Sequence, residues 1–313
     1  MAKKPKIVVI GGGTGSYTVL RGLKHYDVEL TAVISMTDSG GSTGRLRDEF
    51  GFLPPGDVRR GLIALSPETS MLRKLFEYRF SKGQGLEGHN FGNLFLAALR
   101  DITGSDEDAI KEASKILNIK GIVLPVTTTN CQLGAILENK QVIVGETNID
   151  IPKHNPNLKI KKLFIVPKAK ANKEALASIA SADKIIIGPG DLYTSVLSSL
   201  LIGGIKEALK KSKAKKIFVC NIMTKHGETT GFKASGFVHE IERYLGKGVL
   251  DYAICNDKKP APKLLKEYEK EHSMFVEPDI RDGGLKVIRA NMLDDIQLAR
   301  HDPEKLAKAI MSI

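Results

Sequence analysis

A chain of 313 residues, 42% hydrophobic and 27% charged, can bury one extensive core, and it holds no run approaching the roughly 20 apolar residues that span a bilayer. Three widely spaced cysteines, Cys131, Cys220 and Cys255, argue against a disulfide scaffold and a paired-cysteine zinc site. The net charge of +11 comes from lysine clusters such as KIKK, KAKANK, KKSKAKK and KEYEKEH without interleaved aromatics, which favours a solvated surface and anionic small molecules over specific nucleic-acid binding.

In chain order, the apolar run Ile7–Ile10 breaks into Gly11, Gly12, Gly13 and Gly15, then resumes as Tyr17, Val19, Leu20 and Leu23 at helical spacing. That is strand, tight turn, helix. The leading apolar run is too short for a signal-peptide core, so a cytoplasmic protein is expected. Val28–Met36 reads as a second strand, followed by a long, polar, glycine-rich loop from Thr37 to Asp57. Helical periodicity fills residues 56–118, an insertion between strands. GIVLPVT is a strand, and residues 131–146 alternate on either side of Asn139 and Lys140 as a hairpin does. Strands and helices then alternate through LFIVP, NKEALASIASA, KIIIGPG, one long helix in LYTSVLSSLLIGGIKEALKK, KIFVCN, SGFVHEIERYLG, DYAIC and PKLLKEYEKE. Asp302 and Pro303 open a last helix. This pattern predicts a Rossmann-like three-layer α/β/α fold over a single domain, residues 1–313, with a mostly parallel, doubly wound sheet.

The opening loop places Ser16 where a dinucleotide fingerprint needs its third glycine, and it lacks a P-loop lysine. Gly12, Gly13, Thr14 and Gly15 therefore suit a less specific nucleotide cradle, with a turn that permits close helix packing as the alternative. Asp38 suits ribose hydroxyls or a divalent cation; Gly40, Gly41, Ser42, Thr43 and Arg45 suit phosphate oxygens, although Asp-Ser-Gly-Gly is also ordinary turn chemistry. Asp57 reads as a helix cap. His89 and Asn93 share one face of a helix capped by Asn90, a grouping suited to a base or sugar. Gly188, Pro189 and Gly190 form a second glycine turn ahead of Tyr193, and Asn221 and Thr224 follow the next strand. Both turns fall at the carboxyl ends of strands, where open α/β sheets bind ligands. No catalytic residue stands out, since nucleophile-elbow and HExxH patterns are absent.

Taken together, GGGTG, DSGGSTGRLR, PPGDVRRGLIALS, GHNFGNLFLAAL, LENKQVIVGE, IIIGPGDLYTSVL and CNIMTKHGETTGF, in that order from about Lys6 to about His301, resemble the YvcK family of gluconeogenesis factors within the CofD-like superfamily. The resemblance implies a cytoplasmic bacterial protein that binds UDP-sugars such as UDP-N-acetylglucosamine or UDP-glucose and acts in cell shape and envelope synthesis during gluconeogenic growth. One departure is Ser39, where that family usually carries a second aspartate before the two glycines; its loss removes a carboxylate suited to metal or sugar. The CofD branch transfers a phospholactyl group to a deazaflavin precursor with magnesium, and this chain resembles it in the first glycine loop and IGPGDLYTS but lacks a GDRD tract. The expectation is a nucleotide-sugar-binding regulator, with Mg²⁺ at Asp38 as the candidate cofactor and no protein partner identified. A CofD-type transferase is the alternative and a nicotinamide oxidoreductase the third reading. A homodimer would suit such a fold.

Overall fold

The computed structural model describes residues 3–281, 283–294 and 298–313. Seven parallel strands form the main sheet: β1 (Lys6–Gly11), β2 (Glu29–Ile34), β3 (Ile122–Pro125), β7 (Lys184–Ile187), β8 (Lys215–Val219), β9 (Tyr252–Asn256) and β10 (Lys286–Ala290), in the order β10-β9-β8-β7-β1-β2-β3. A second sheet, β5-β4-β6, is antiparallel, from β4 (Gln132–Leu137), β5 (Val142–Val144) and β6 (Ile160–Val166). The apolar runs of β1 and β7 are flanked by strands on both sides, and Ile7, Val9, Ile10 and Ile185 to Ile187 are fully buried. Strands covered on both faces need such unbroken β-branched runs.

Helices cover both faces of the main sheet, so the predicted Rossmann-like architecture is what the chain adopts. In chain order they are α1 (Gly13–Leu23), α2 (Gly41–Phe50), α3 (Pro55–Leu65), α4 (Met71–Glu77), α5 (Phe91–Thr103), α6 (Asp106–Ile116), α7 (Glu146–Asp150), α8 (Lys173–Ser181), α9 (Ser198–Leu200), α10 (Ile205–Lys211), α11 (Ala234–Leu245), α12 (Pro262–Lys270) and α13 (Pro303–Ser312). A π-helical turn, Leu192–Leu197, runs directly into α9. Among the described residues, no helix is long and apolar enough to cross a membrane.

Three sequence expectations need correction. The stretch expected as a loop from Thr37 to Asp57 contains α2. Its glycines make the helix possible, because a Cβ on Gly44 would lie 2.2 Å from the Ser39 carbonyl oxygen, and Gly51, at φ +68°, closes the helix by donating to the Arg47 carbonyl at 2.9 Å. LFIVP belongs to β6 and pairs antiparallel with β4 instead of joining the parallel sheet. The long helix expected over residues 192–211 is broken at Gly203 and Gly204, where Gly203 exchanges backbone hydrogen bonds with Ala169 and Ala171 and Gly204 takes φ +103°.

The expected hairpin forms about Lys140, at φ +70°. Asp302 also caps α13 as expected, accepting from the Glu304 and Lys305 amides at 2.9 and 2.8 Å, and α13 buries Leu306, Ala307 and Ile310. Asp302→Ala should therefore cost about 1 kcal/mol of stability, read from equilibrium denaturation. An unchanged denaturation midpoint would show that the cap contributes nothing.

Candidate ligand cleft at the switch point

The main sheet reverses its winding between β1 and β7: β2 and β3 continue to one side, β8 to β10 to the other. Ligands of open α/β sheets sit at that reversal, outside the carboxyl ends of the strands. Both glycine turns lie there and press against each other, since a Cβ on Gly15 would fall 2.0 Å from the Pro189 carbonyl oxygen. Gly13, Gly188 and Gly190 adopt φ of +66°, +73° and +154°, backbone that favours glycine.

Between the turns opens a polar cleft of about 480 Å³. The first turn of α1 contributes Gly13, Thr14 and Gly15; the segment after β7 contributes Gly190, Asp191, Thr194 and Ser195. Ser35, Asp38, Gly40 and Gly41 come from the end of β2 and the start of α2, Asp57 and Arg60 from α3, and Glu146, Thr147 and Asp150 from α7. A smaller cavity of about 180 Å³ shares Thr14, Gly15, Gly190 and Asp191 with the cleft and reaches Asn221 and Met223. The two form an extended site.

Carboxylates dominate this site. Asp38 accepts from the Gly40 amide at 2.9 Å, and Gly56 leaves it room, because a Cβ there would lie 2.7 Å from the Asp38 carboxylate. Gly12 does the same for Asp57, whose carboxylate would stand 2.2 Å from a Cβ on Gly12. Gly12 thus makes space for an acid. Asp57 is not the cap of α3 that its position suggests; Pro54 holds that place without a side-chain bond, and Asp57 is buried within the first turn. Burial, then the charge of Asp38, pushes its carboxyl up to about 6, against the pull of Arg60 and the Gly13 amide. Glu146 is pushed up to about 8 by burial and by Asp38 and Asp150. Arg60 stands 3.5 Å from Asp57.

Ser39 ties α7 to this wall. Its hydroxyl lies 3.0 Å from the Thr147 hydroxyl and accepts from the Thr147 amide at 3.0 Å. Beyond Asp150, Lys225 bonds Asp150, reaches Asp191 at 2.9 Å and approaches Glu228 at 3.7 Å. The ligand atoms of these three acids lie within 4.8 Å of one another, a divalent-cation spacing that the Lys225 ammonium fills. Burial works to lower the Lys225 pKa, but Glu228, Asp191 and Asp150 together hold it above the usual lysine value. Glu228 is wholly buried, accepts from the Tyr193 amide and the Thr194 hydroxyl at 3.1 Å each, and has its carboxyl raised by burial and by Asp191.

The residues expected to bind ligand are not all brought to the cleft; Gly12 and Gly188 sit in the glycine turns without lining either cavity. Gly13, Thr14, Gly15, Asp38, Gly40, Gly41 and Gly190 line the cleft, and Pro189 and Asn221 border the smaller cavity. Asn221 also lies 3.5 Å from the Gly190 amide, as its acceptor. Ser42, Thr43, His89, Asn90 and Asn93 instead form a buried brace outside the cleft lining. Asn93 donates to Ser42 and Thr43 at 3.3 and 3.5 Å and accepts from Arg59 at 2.9 Å, His89 meets Ser42 at 3.1 Å, and Asn90 caps α5. Burial and nearby Arg45 lower the His89 pKa. Arg45 donates to the Glu87 carbonyl. Tyr193 is buried with its phenol against Glu240, and Thr224 pairs with Met274 at 2.7 and 2.8 Å. Ser35, Glu146, Thr147 and Asp150 escaped the sequence reading; only the glycine before Glu146, at φ +100°, marks a turn there.

Two glycine turns converge on a polar cleft at the switch point of a Rossmann-like α/β protein, the place where such folds bind ligands. The family model described as 2-phospho-L-lactate transferase CofD matches residues 7–293, and this chain belongs to the CofD family. The relative named Gluconeogenesis factor from Bacillus subtilis is 41% identical, with 100% of this chain and 99% of that protein covered. Its namesake from Halalkalibacterium halodurans is 42% identical over 99% of this chain and 96% of that protein. A solved structure of a UPF0052 family member from Bacillus halodurans matches at TM-score 0.94 and 40% identity, covering 99% of this chain and 100% of that one.

Proposed function

We propose that this chain is a cytoplasmic gluconeogenesis factor that binds a nucleotide sugar, UDP-N-acetylglucosamine or UDP-glucose, across the two glycine turns and regulates cell shape and envelope synthesis during gluconeogenic growth. The observation that carries the ligand reading is the pairing of the α1 amino terminus with the Gly190 turn at one switch point, an arrangement suited to a diphosphate. Asn221 is the side-chain amide placed to meet the base or sugar.

Charge adds a condition. Asp38 and Asp57 line the cleft beside Arg60, while Asp150 and Asp191 are paired with Lys225 and Glu146 is held towards its protonated form. A divalent ion would offset the charge that a diphosphate brings beside Asp38 and Asp57, and hard carboxylate donors suit Mg²⁺. Asp38 and Asp57 would hold it. Bound there, Mg²⁺ would neutralise the phosphate charge, while the amides of Thr14, Gly15 and Gly190 orient the diphosphate.

Thermal unfolding with UDP-N-acetylglucosamine, UDP-glucose, GDP and NADH, each with and without Mg²⁺, tests the proposal. At about a hundred times its Kd a ligand stabilises the native state by roughly 2.7 kcal/mol. A Mg²⁺-dependent shift with UDP-sugars is expected; a shift with NADH alone, or with none of the four, would overturn the reading.

The matched family model also favours a second reading, a Mg²⁺-dependent transfer of a phospholactyl group. Release of a nucleoside monophosphate from an activated phospholactate in the presence of a deazaflavin acceptor would replace the binding-only reading with this one.

A further inference from the structure

An antiparallel sheet that packs one face on a core normally turns polar side chains outward. The small sheet does so only at Gln132 and Lys162. Leu133, Ala135 and Leu163 fill the buried side, while the register places Ile136, Val142, Val144, Phe164 and Val166 together on the other. Val142, Val144 and Val166 are 58%, 41% and 41% exposed. The Phe164 ring lies over Gly134, where a Cβ would come within 2.2 Å of it, so the aromatic is spread along the sheet and the face is flat.

Around this face positive charge predominates. Lys162 shares the face with the valines, Lys140 sits in the β4–β5 turn, Lys159 and Lys161 flank Ile160 at the start of β6, and Lys168 follows its end. The acid at this rim, Glu138, accepts from the Lys159 amide. A second copy of the chain stacked on this face would set lysine rim against lysine rim. Short valines on a flat sheet also reach too shallowly to anchor a membrane surface. A protein surface of opposite charge satisfies both the apolar centre and the basic rim.

We propose that the outer face of the β5-β4-β6 sheet docks a protein partner that presents an apolar patch ringed by Asp and Glu. Its apolar centre is on the order of 200 Å² from the strand spacing and rise, which fits a transient complex and not an obligate one. The chain passes from β5 directly into α7, the helix that brings Glu146, Thr147 and Asp150 to the cleft.

A photo-crosslinking residue placed at Val144 or Val166 in cells that carry the protein natively tests this, with Ile102, 80% exposed on α5, as the control. Positions 144 and 166 should give one discrete protein adduct that position 102 does not. Once that partner is purified, Lys162→Glu should weaken its binding by about tenfold or more, with an affinity that falls as salt rises and with the thermal midpoint of the variant unchanged. Val142→Ser, which adds no charge, should weaken it as well. The proposal is overturned by an adduct of two copies of this chain, by association with phosphatidylglycerol vesicles without a protein adduct, by no adduct from either position, or by binding indifferent to Lys162→Glu.

Discussion

Gly15→Ala is expected to destabilise the protein by about 2 kcal/mol and to abolish nucleotide-sugar binding, although intrinsic helix propensity alone favours alanine by up to about 1 kcal/mol. The added methyl would fall 2.0 Å from the Pro189 carbonyl oxygen and 2.9 Å from the Gly190 nitrogen, which are backbone atoms that cannot rotate aside. The two turns must separate, and the cleft between them changes shape. Gly22→Ala is the matched control: its methyl would fall 2.0 Å from the Pro303 carbonyl oxygen, on the stretch of α1 that faces α13 away from the cleft. Both variants should lose comparable stability in urea, and only Gly15→Ala should lose UDP-N-acetylglucosamine by calorimetry. Equal binding by the two variants would remove the glycine turns from ligand recognition.

The second large effect is on pH. Glu146 holds its proton up to about pH 8 in the folded chain but releases it near its ordinary value of 4.5 when unfolded. Between those values the folded state binds the extra proton, so stability falls as pH rises, with a slope of up to about 1.4 kcal/mol per unit. Asp57 acts in the same direction between 3.8 and about 6. Glu146→Gln should therefore flatten the decline toward pH 8 and make the variant more stable than the parent there. Mg²⁺ held by Asp38 and Asp57 works oppositely, because it recruits ionised carboxylates; its stabilising effect should grow with pH in parent and variant alike. Parallel denaturation curves for parent and Glu146→Gln across pH 5 to 8 would show that this carboxyl is not held protonated.

Legibility followed the range over which each signal acts. The glycine turns, the hairpin at Lys140 and the Asp302 cap are written in a few adjacent residues, and each appeared where expected. The α2 helix hid because its composition, glycine and serine, argues locally for a loop; it forms through contacts with Ser39 and through the buried faces of Leu46 and Arg47. LFIVP declared a strand but not its partner, since an apolar run carries no direction. In the site, Asp57 looked like a cap because first-turn aspartates usually are; its carboxylate is turned instead into the space left by Gly12. Glu146 and Asp150 lie about a hundred residues from Asp38 in sequence, and only the packing of α7 on Ser39 unites them. The His89, Asn90 and Asn93 cluster has the side chains of a ligand site, yet its partners are Ser42, Thr43 and Arg59.

The two glycine turns are neighbours in space because β1 lies beside β7, and the first residue of β1 is joined across 177 positions to the residue before β7 by the bond from the Lys6 amide to Asp183. During synthesis the first turn leaves the ribosome long before its counterpart exists. A nascent chain shorter than about the first 190 residues has half a cleft and nothing to close it, so capture of the proposed ligand would report that β7 has joined β1, before β8 to β10 complete the sheet. A nucleotide sugar held across that seam would act as a late rivet between the two halves, and its withdrawal would expose the seam first to proteases.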